Sequence, residues 1–248
     1  MGVLGLSLAF AVAMIAGFYG SLVGASSLLI VPTLIFLGFP TQIAIATFRF
    51  GNLGQPISSI YEYNRKKLVD YRIGLPIAIV AFGGAIIGAN LVLRTDNLVL
   101  KKIVGVITIA ILLFIVSVNK IGIEKREKEM EGIEWVAGLI LSFFLGIYGG
   151  FYGSGVVTFF SYLLLILFGQ DFLECAGTSK LPNLSISLIA AFIFIINEKV
   201  DYQFGGTIFI GMLMGAYLGV HYSTKLGNVW MKRLFFVVVL IMGLGLLL

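Results

Sequence analysis

Charge is what this sequence most lacks. Only 12% of its 248 residues are Asp, Glu, Lys or Arg, against roughly 25% in a water-soluble domain. A globule cannot cover itself with polar surface from so little, so a soluble enzyme is excluded. The single cysteine, Cys175, excludes a disulfide framework within the chain. The single histidine, His221, has no second His or Cys near it in sequence to share a metal. The lone His and Cys also argue against an intramembrane enzyme, and the absence of Walker, Rossmann and HExxH motifs argues against ATP-driven transport within this chain; no cofactor is expected. What the chain has instead is 59% apolar side chains, 31 glycines and a mean hydropathy of +1.06. That composition specifies an all-α polytopic membrane protein in a lipid bilayer. The net charge of +5 then reports topology first, and no nucleic-acid partner is implied.

Charge-free runs cover 1–48, 73–93, 103–119, 135–170, 181–197, 203–224 and 234–248. A spanning helix needs about 20 apolar residues. Two of the runs, 1–48 and 135–170, are long enough for two passes or for a broken helix that turns back. The N-terminal run lacks a positive leader and is read as mature structure. Charges gather in 62–72, 94–102, 119–134, 197–202 and 225–233, which are read as loops.

Sliding the chain against itself exposes a repeat. At an offset of 131, Thr47 meets Thr178, Asn52 meets Asn183, Asp70-Tyr71 meets Asp201-Tyr202, and Arg49 meets Lys180. At an offset of 129, Gly17, Tyr19, Gly20 and Gly24 meet Gly146, Tyr148, Gly149 and Gly153. In a chain so poor in Asn, Asp and Lys these matches indicate duplication. The division is 1–118 for the first transmembrane repeat, 119–134 for a charged linker and 135–248 for the second. Each copy has a Gly-broken helix or hairpin (4–39 and 135–168) and three spanning helices (about 42–61, 73–93 and 98–118; 173–196, 203–223 and 230–248). If the broken segment crosses once, the copies are parallel and loop Lys/Arg divide 9 to 6. If it returns, the copies are inverted and the division is 11 to 4. The positive-inside rule favours inversion, with both termini outside, and inverted repeats with broken helices are a common transporter plan.

Three groups of residues stand out. Glycines this dense weaken a helix and free backbone groups. Irregular backbone at membrane depth persists only inside protein or beside a wet cavity. Gly20, Gly24, Gly149 and Gly153, with the hydroxyls of Ser26, Ser27 and Ser154, are therefore candidate anion ligands. Their spacing equally fits GxxxG helix packing. Next, Arg49, Asn52, Pro56 and Ser59 fall on one helical face, and Lys180, Asn183, Ser187 and Ala190 fall at the same spacing, with Thr47 and Thr178 close by. Cations within spans suggest an anionic substrate, although snorkelling to the headgroups is the competing reading. Pro56 and Pro182 loosen the same helices. Last, Glu62, Asp70, Glu174, Glu198 and Asp201 lie at span ends. There solvation, or N-capping by Asp70 and Asp201, explains them without a proton-coupling role.

The run from Gly17 to Pro32 and Leu34, followed by Ala46-Thr47, and its partner leading to Ala176-Gly177-Thr178-Ser179, resemble the sulfite exporter TauE/SafE (TSUP) family over nearly the whole chain. The family's glycine signature matches Gly17, Gly20 and Gly24, and Gly146, Gly149, Gly153 and Gly155. Ala25-Ser26-Ser27 departs from it where the family often continues with glycines. The resemblance implies a multi-pass plasma-membrane carrier of small sulfur-containing anions such as sulfite, thiosulfate or organosulfonates. The expected function is secondary transport by alternating access, with Gly20, Gly24, Ser26, Ser27, Thr47, Arg49, Asn52, Gly149, Gly153, Ser154, Thr178, Lys180 and Asn183 binding substrate. A proton or sodium ion is the coupling partner considered. A non-transporting membrane subunit and a passive anion channel are the alternatives. The sequence assigns no oligomeric state.

Overall fold

The computed structural model describes residues 2–22, 24, 26–100, 102–103, 106 and 132–222. The linker expected at 119–134 is described only from Gly132, and most or all of the helices expected at 98–118 and 230–248 lies outside the described residues. Among the described residues the chain is helical, with no strand. We number the helices α1 (Val3–Leu22), α2 (Ser27–Phe36), α3 (Thr41–Gly51), α4 (Gly54–Arg65), α5 (Tyr71–Arg94), α6 (Gly132–Phe151), α7 (Val156–Leu167), α8 (Phe172–Thr178), α9 (Lys180–Ile196) and α10 (Tyr202–Tyr222). Among the described residues, five segments are long and apolar enough to cross a membrane: α1, α5, α6, the near-continuous α8–α9 and α10. The protein is an all-α, multi-pass membrane protein.

The glycine-dense segments are broken where the sequence places the breaks. Gly24 interrupts the first at φ 88°, and Gly153 and Gly155 interrupt the second at φ 67° and 69°. Only glycine enters that left-handed region at no steric cost. The arms beyond, α2 and α7, are 10 and 12 residues long, about 15–18 Å, too short to cross about 30 Å of hydrocarbon. Both turn back. Trp135, at the start of α6, stacks edge-on against Phe168 just after α7, with ring centroids 5.1 Å apart. Gly5 near the start of α1 and Phe39 just after α2 both lie against Phe204 of α10. Each arm therefore returns to the level at which its long helix began.

The helices expected at 42–61 and 173–196 are each interrupted as well. The first divides at Asn52–Leu53 and the second at Ser179. Each interruption lies three to four residues before a proline, Pro56 or Pro182, whose ring carries no N–H to continue the i→i−4 ladder. Asp70 caps α5, accepting from the Arg72 and Ile73 amides at 2.9 and 3.2 Å. Asp201 accepts from the Phe204 amide at 2.9 Å at the start of α10. Asp171 and Glu174 form a capping box on α8.

The two halves of the chain are interleaved. Helix α6 lies against α5 so closely that a Cβ on Gly84 or Gly88 would strike the Phe143 or Ile147 carbonyl, and one on Gly146 or Gly150 the Ala81 or Ala85 carbonyl. At the matching positions, α1 lies against α10. A Cβ on Gly215 or Gly219 would strike the Met14 or Phe18 carbonyl, and one on Gly17 the Met212 carbonyl. Contact residues rise together along both pairs, so each pair runs parallel. Helices α4 and α9, which occupy matching positions, run antiparallel. Asn52 at the head of α4 bonds Ser187 in mid-α9, while Tyr63 near the end of α4 lies against Gly177 just before α9.

Candidate functional site

The four interruptions come together. A Cβ on Gly24 would strike the Val157 side chain at the start of α7, so the first break faces the second. The cations on the interrupted helices reach across to the opposite break. Arg49, at the end of α3, donates from Nη2 to the Gly149 carbonyl. Lys180, first residue of α9, donates from Nζ to the Gly20 carbonyl at 3.2 Å. Arg49 aligns with Lys180 at an offset of 131 and Gly20 with Gly149 at an offset of 129, so the two contacts join corresponding sequence positions. Arg49 is 1% exposed and Lys180 0%. This corrects the snorkelling alternative: both heads point inward to backbone carbonyls freed near the breaks.

Around the cations lie buried polar side chains with unused bonding capacity. Asn52 donates from Nδ2 to Ser187 Oγ at 2.9 Å, and its Oδ1 accepts nothing. Ser26 donates from Oγ to Gln55 Oε1 at 3.3 Å, leaving Gln55 Nε2 without a partner. Arg49 Nε, Ser27 Oγ, Ser154 Oγ and Asn183 Nδ2 are also buried without partners. Buried polar atoms are usually satisfied, so a cluster of exceptions marks a place for water or solute. A Cβ on Gly20 would meet Ser26 Oγ and Gln55 Nε2, and one on Gly153 would meet the Arg49 guanidinium. These two glycines, with Gly24, keep the centre open to side chains from other helices.

Thr47 and Thr178 are placed differently from the other candidates. Thr47 Oγ1 accepts from the Asp201 amide and Thr178 Oγ1 from the Asp70 amide, each at 3.0 Å. They fasten the head of the following long helix in the other half, and their oxygens face that junction. Gln55 belongs to the site and was not singled out from sequence, because the position 131 residues on is Ile186 and self-comparison passes over it. Ser187, which the sequence places on one face with Lys180 and Asn183, lies in the site as the acceptor of Asn52. Glu62 also departs from expectation. Read as a solvated span end, it is 2% exposed and pairs with Arg65 at 3.2 Å. Cys175 is buried, donating weakly to the Gln170 carbonyl. His221 stacks on Tyr217. Among the described residues no three His, Cys, Asp or Glu side chains gather as a metal site would need.

The model of the family described as sulfite exporter TauE/SafE matches residues 9–246. The chain belongs to the TauE/SafE family. Among its relatives is the probable membrane transporter protein YfcA of Escherichia coli K12, 29% identical over 245 residues, covering 98% of this chain and 89% of that one. A probable membrane transporter protein of Haemophilus influenzae is 28% identical over 214 residues, covering 86% and 83%. The probable membrane transporter protein MJ0441 of Methanocaldococcus jannaschii is 26% identical over 232 residues, covering 90% and 85%. No solved structure matches the chain. Of the glycines that suggested the family, Gly24, Gly153 and Gly155 break the helices, Gly20 and Gly149 offer their carbonyls to Lys180 and Arg49, and Gly17 and Gly146 pack against α10 and α5.

Proposed function

We propose that this protein is a plasma-membrane secondary transporter of a small sulfur-containing anion, sulfite, thiosulfate or an organosulfonate, moved by alternating access between two inverted halves. The observation that carries this reading is the pair of buried cations, Arg49 and Lys180, reaching to carbonyls of facing helix breaks amid unpartnered polar groups. Charge inside a membrane is costly and usually lies on a solute pathway. An oxyanion can replace the carbonyls as acceptor for either cation and use the N–H groups of Gln55 and Asn183 and the hydroxyls of Ser27 and Ser154. The opposed directions of α4 and α9, and the exchanged packing of α1 on α10 and α6 on α5, support two halves that rock against each other about this centre. The family match supports the transporter class, and the family description supports the sulfur anion.

The close backbone packing at Gly17, Gly84, Gly146 and Gly215 would by itself suit a non-transporting membrane subunit. Flux separates the readings. Proteoliposomes holding the purified protein should accumulate or exchange at least one labelled sulfur anion, with saturation and counterflow that a passive channel would not give. Arg49→Gln and Lys180→Gln should each lower flux about tenfold or more, since removing a buried charged partner costs about 2–5 kcal/mol. Arg49→Lys and Lys180→Arg should keep part of it. If no sulfur anion moves, the reading fails. If flux is indifferent to both cations, its electrostatic basis is wrong.

A further inference from the structure

Helices α5 and α9 come from opposite halves of the chain, and the seam between them is open along its outer side. Leu75, Ile79 and Phe82 of α5 and Leu181, Leu184 and Leu188 of α9 line a groove of about 380 Å³. Leu75, Ile79, Phe82 and Leu188 are exposed there. In the matching seam α4 lies directly on the backbone of α10, where a Cβ on Gly54 would strike the Phe209 carbonyl. At an offset of 131, Ser185 meets Gly54 and Ala78 meets Phe209. Ser185 carries the Cβ that Gly54 lacks, and its Oγ donates to the Ala78 carbonyl at 2.7 Å. The serine therefore holds α9 off α5 where glycine lets α4 touch α10, and the groove is the space this leaves.

The groove has a basic end. Gly74 lies against Leu181, and Ala78 accepts from Ser185, so α5 and α9 run parallel and the groove begins near the start of both. Arg72, Leu75, Ile79 and Phe82 fall at i, i+3, i+7 and i+10, on one face of α5. Arg72 is exposed and forms no ion pair with a described residue. Lys66 and Lys67 are exposed in the loop just before it. The Asp70 amide, bonded to Thr178 Oγ1, pins that loop to the same end. The acidic groups nearby are engaged: Asp70 caps α5, Glu62 holds Arg65, and Asp171 and Glu174 form their capping box. At the positions matching Lys66, Lys67 and Arg72 the second half carries Asn197, Glu198 and Gln203. Open groove and free cations thus occur together, in one seam of the two.

We infer that this groove binds one anionic phospholipid of the adjoining leaflet, with its phosphate at Arg72, Lys66 and Lys67 and one acyl chain between α5 and α9. From Leu75 to Phe82 the groove runs about 10 Å, within half of the ~30 Å hydrocarbon core. A spanning helix is about 10 Å across and needs the full thickness, so it does not fit. An acyl chain is narrow and apolar, and it enters the bilayer from a phosphate at headgroup level, where Arg72 stands. A basic residue near an anionic membrane surface is worth about a fivefold preference. The bound chain bridges the two halves where Ser185 keeps them apart. The site is independent of which anion the protein carries.

The test uses the full chain in vesicles that contain phosphatidylglycerol with a photoactivatable acyl chain. Phosphatidylcholine with the same chain is the zwitterionic comparison, and mass spectrometry maps the cross-linked peptides. The phosphatidylglycerol probe should mark 75–82 and 181–188 about fivefold more than the matching 206–213 and 50–57. It should also mark them more than the phosphatidylcholine probe does. Arg72→Gln should lower the phosphatidylglycerol signal there about fivefold and leave the phosphatidylcholine signal unchanged. Ile79→Trp, which fills the groove from an exposed position, should suppress both signals, whereas Ile210→Trp at the matching position should suppress neither. Labelling of the other lipid-facing peptides reports that each variant is folded. Arg72 is exposed, so its substitution decides the headgroup even where the tryptophan is not accommodated. Equal labelling of the two seams, equal labelling by the two lipids, or no labelling of 75–82 and 181–188 overturns the site.

Discussion

Arg49 and Lys180 occupy matching positions and make matching contacts, yet they leave different chemistry behind. The ammonium of Lys180 is a point charge whose donors rotate, whereas the Arg49 guanidinium is a fixed fork with Nε still unpartnered. The first half therefore presents the more directional donor, beside Gly153. At Gly153 both space and backbone demand the absence of a side chain. Gly153→Ala should strain the left-handed turn by about 1–2 kcal/mol and displace Arg49, lowering flux and the unfolding temperature together. Gly206→Ala, on a helix with nothing near the new Cβ, should instead be neutral or stabilising by up to about 1 kcal/mol. Flux and melting curves on the two variants check this. At this scale the cations and Asn52 were legible because they recur at one offset beside long charge-free runs. Gln55 was not, because its counterpart is Ile186. Burial of Glu62 was hidden by the Arg65, Lys66 and Lys67 that follow it and make the region read as loop.

Among the elements, the breaks were legible and the fastenings were not. Glycine density at 17–24 and 146–155 announces an interrupted helix, and Pro56 and Pro182 mark the second pair of interruptions through their missing N–H. The return of α7 toward the start of α6 depends on Trp135 meeting Phe168, a contact no periodicity announces. The same holds for Thr47 with Asp201 and Thr178 with Asp70, which lie far apart in sequence. Asp70 and Asp201 are readable as caps from their positions before apolar runs. That the amides of these aspartates bond a threonine in the opposite half is tertiary information. Thr47→Val and Thr178→Val should each destabilise by about 1–2 kcal/mol, the cost of leaving a partly buried N–H unpaired. Thermal unfolding in detergent should show both shifts, similar in size because the contacts are equivalent.

For the whole molecule, the antiparallel crossing of α4 and α9 has a direct topological outcome. The loop after α4 and the loop after α9 should lie on opposite faces of the membrane. In oriented vesicles, Lys66→Cys and Lys199→Cys should react with an impermeant thiol reagent from opposite sides. Labelling from one side would instead fit parallel copies. The 11 to 4 division of loop Lys and Arg pointed to this arrangement, but short loops carry few charges. The opposed directions become explicit only when Asn52 meets Ser187 and Tyr63 meets Gly177. The exchanged packing of α1 on α10 and α6 on α5 also governs how the chain is made. The carbonyl-lined face of α1 is made roughly two hundred residues before the glycines that cover it, Gly211, Gly215 and Gly219. Neither half can finish alone, so α1 must wait in the bilayer, incompletely covered, until α10 is made. A chain cut after the first half should be a target for degradation, and supplying the second half as a separate polypeptide should rescue it.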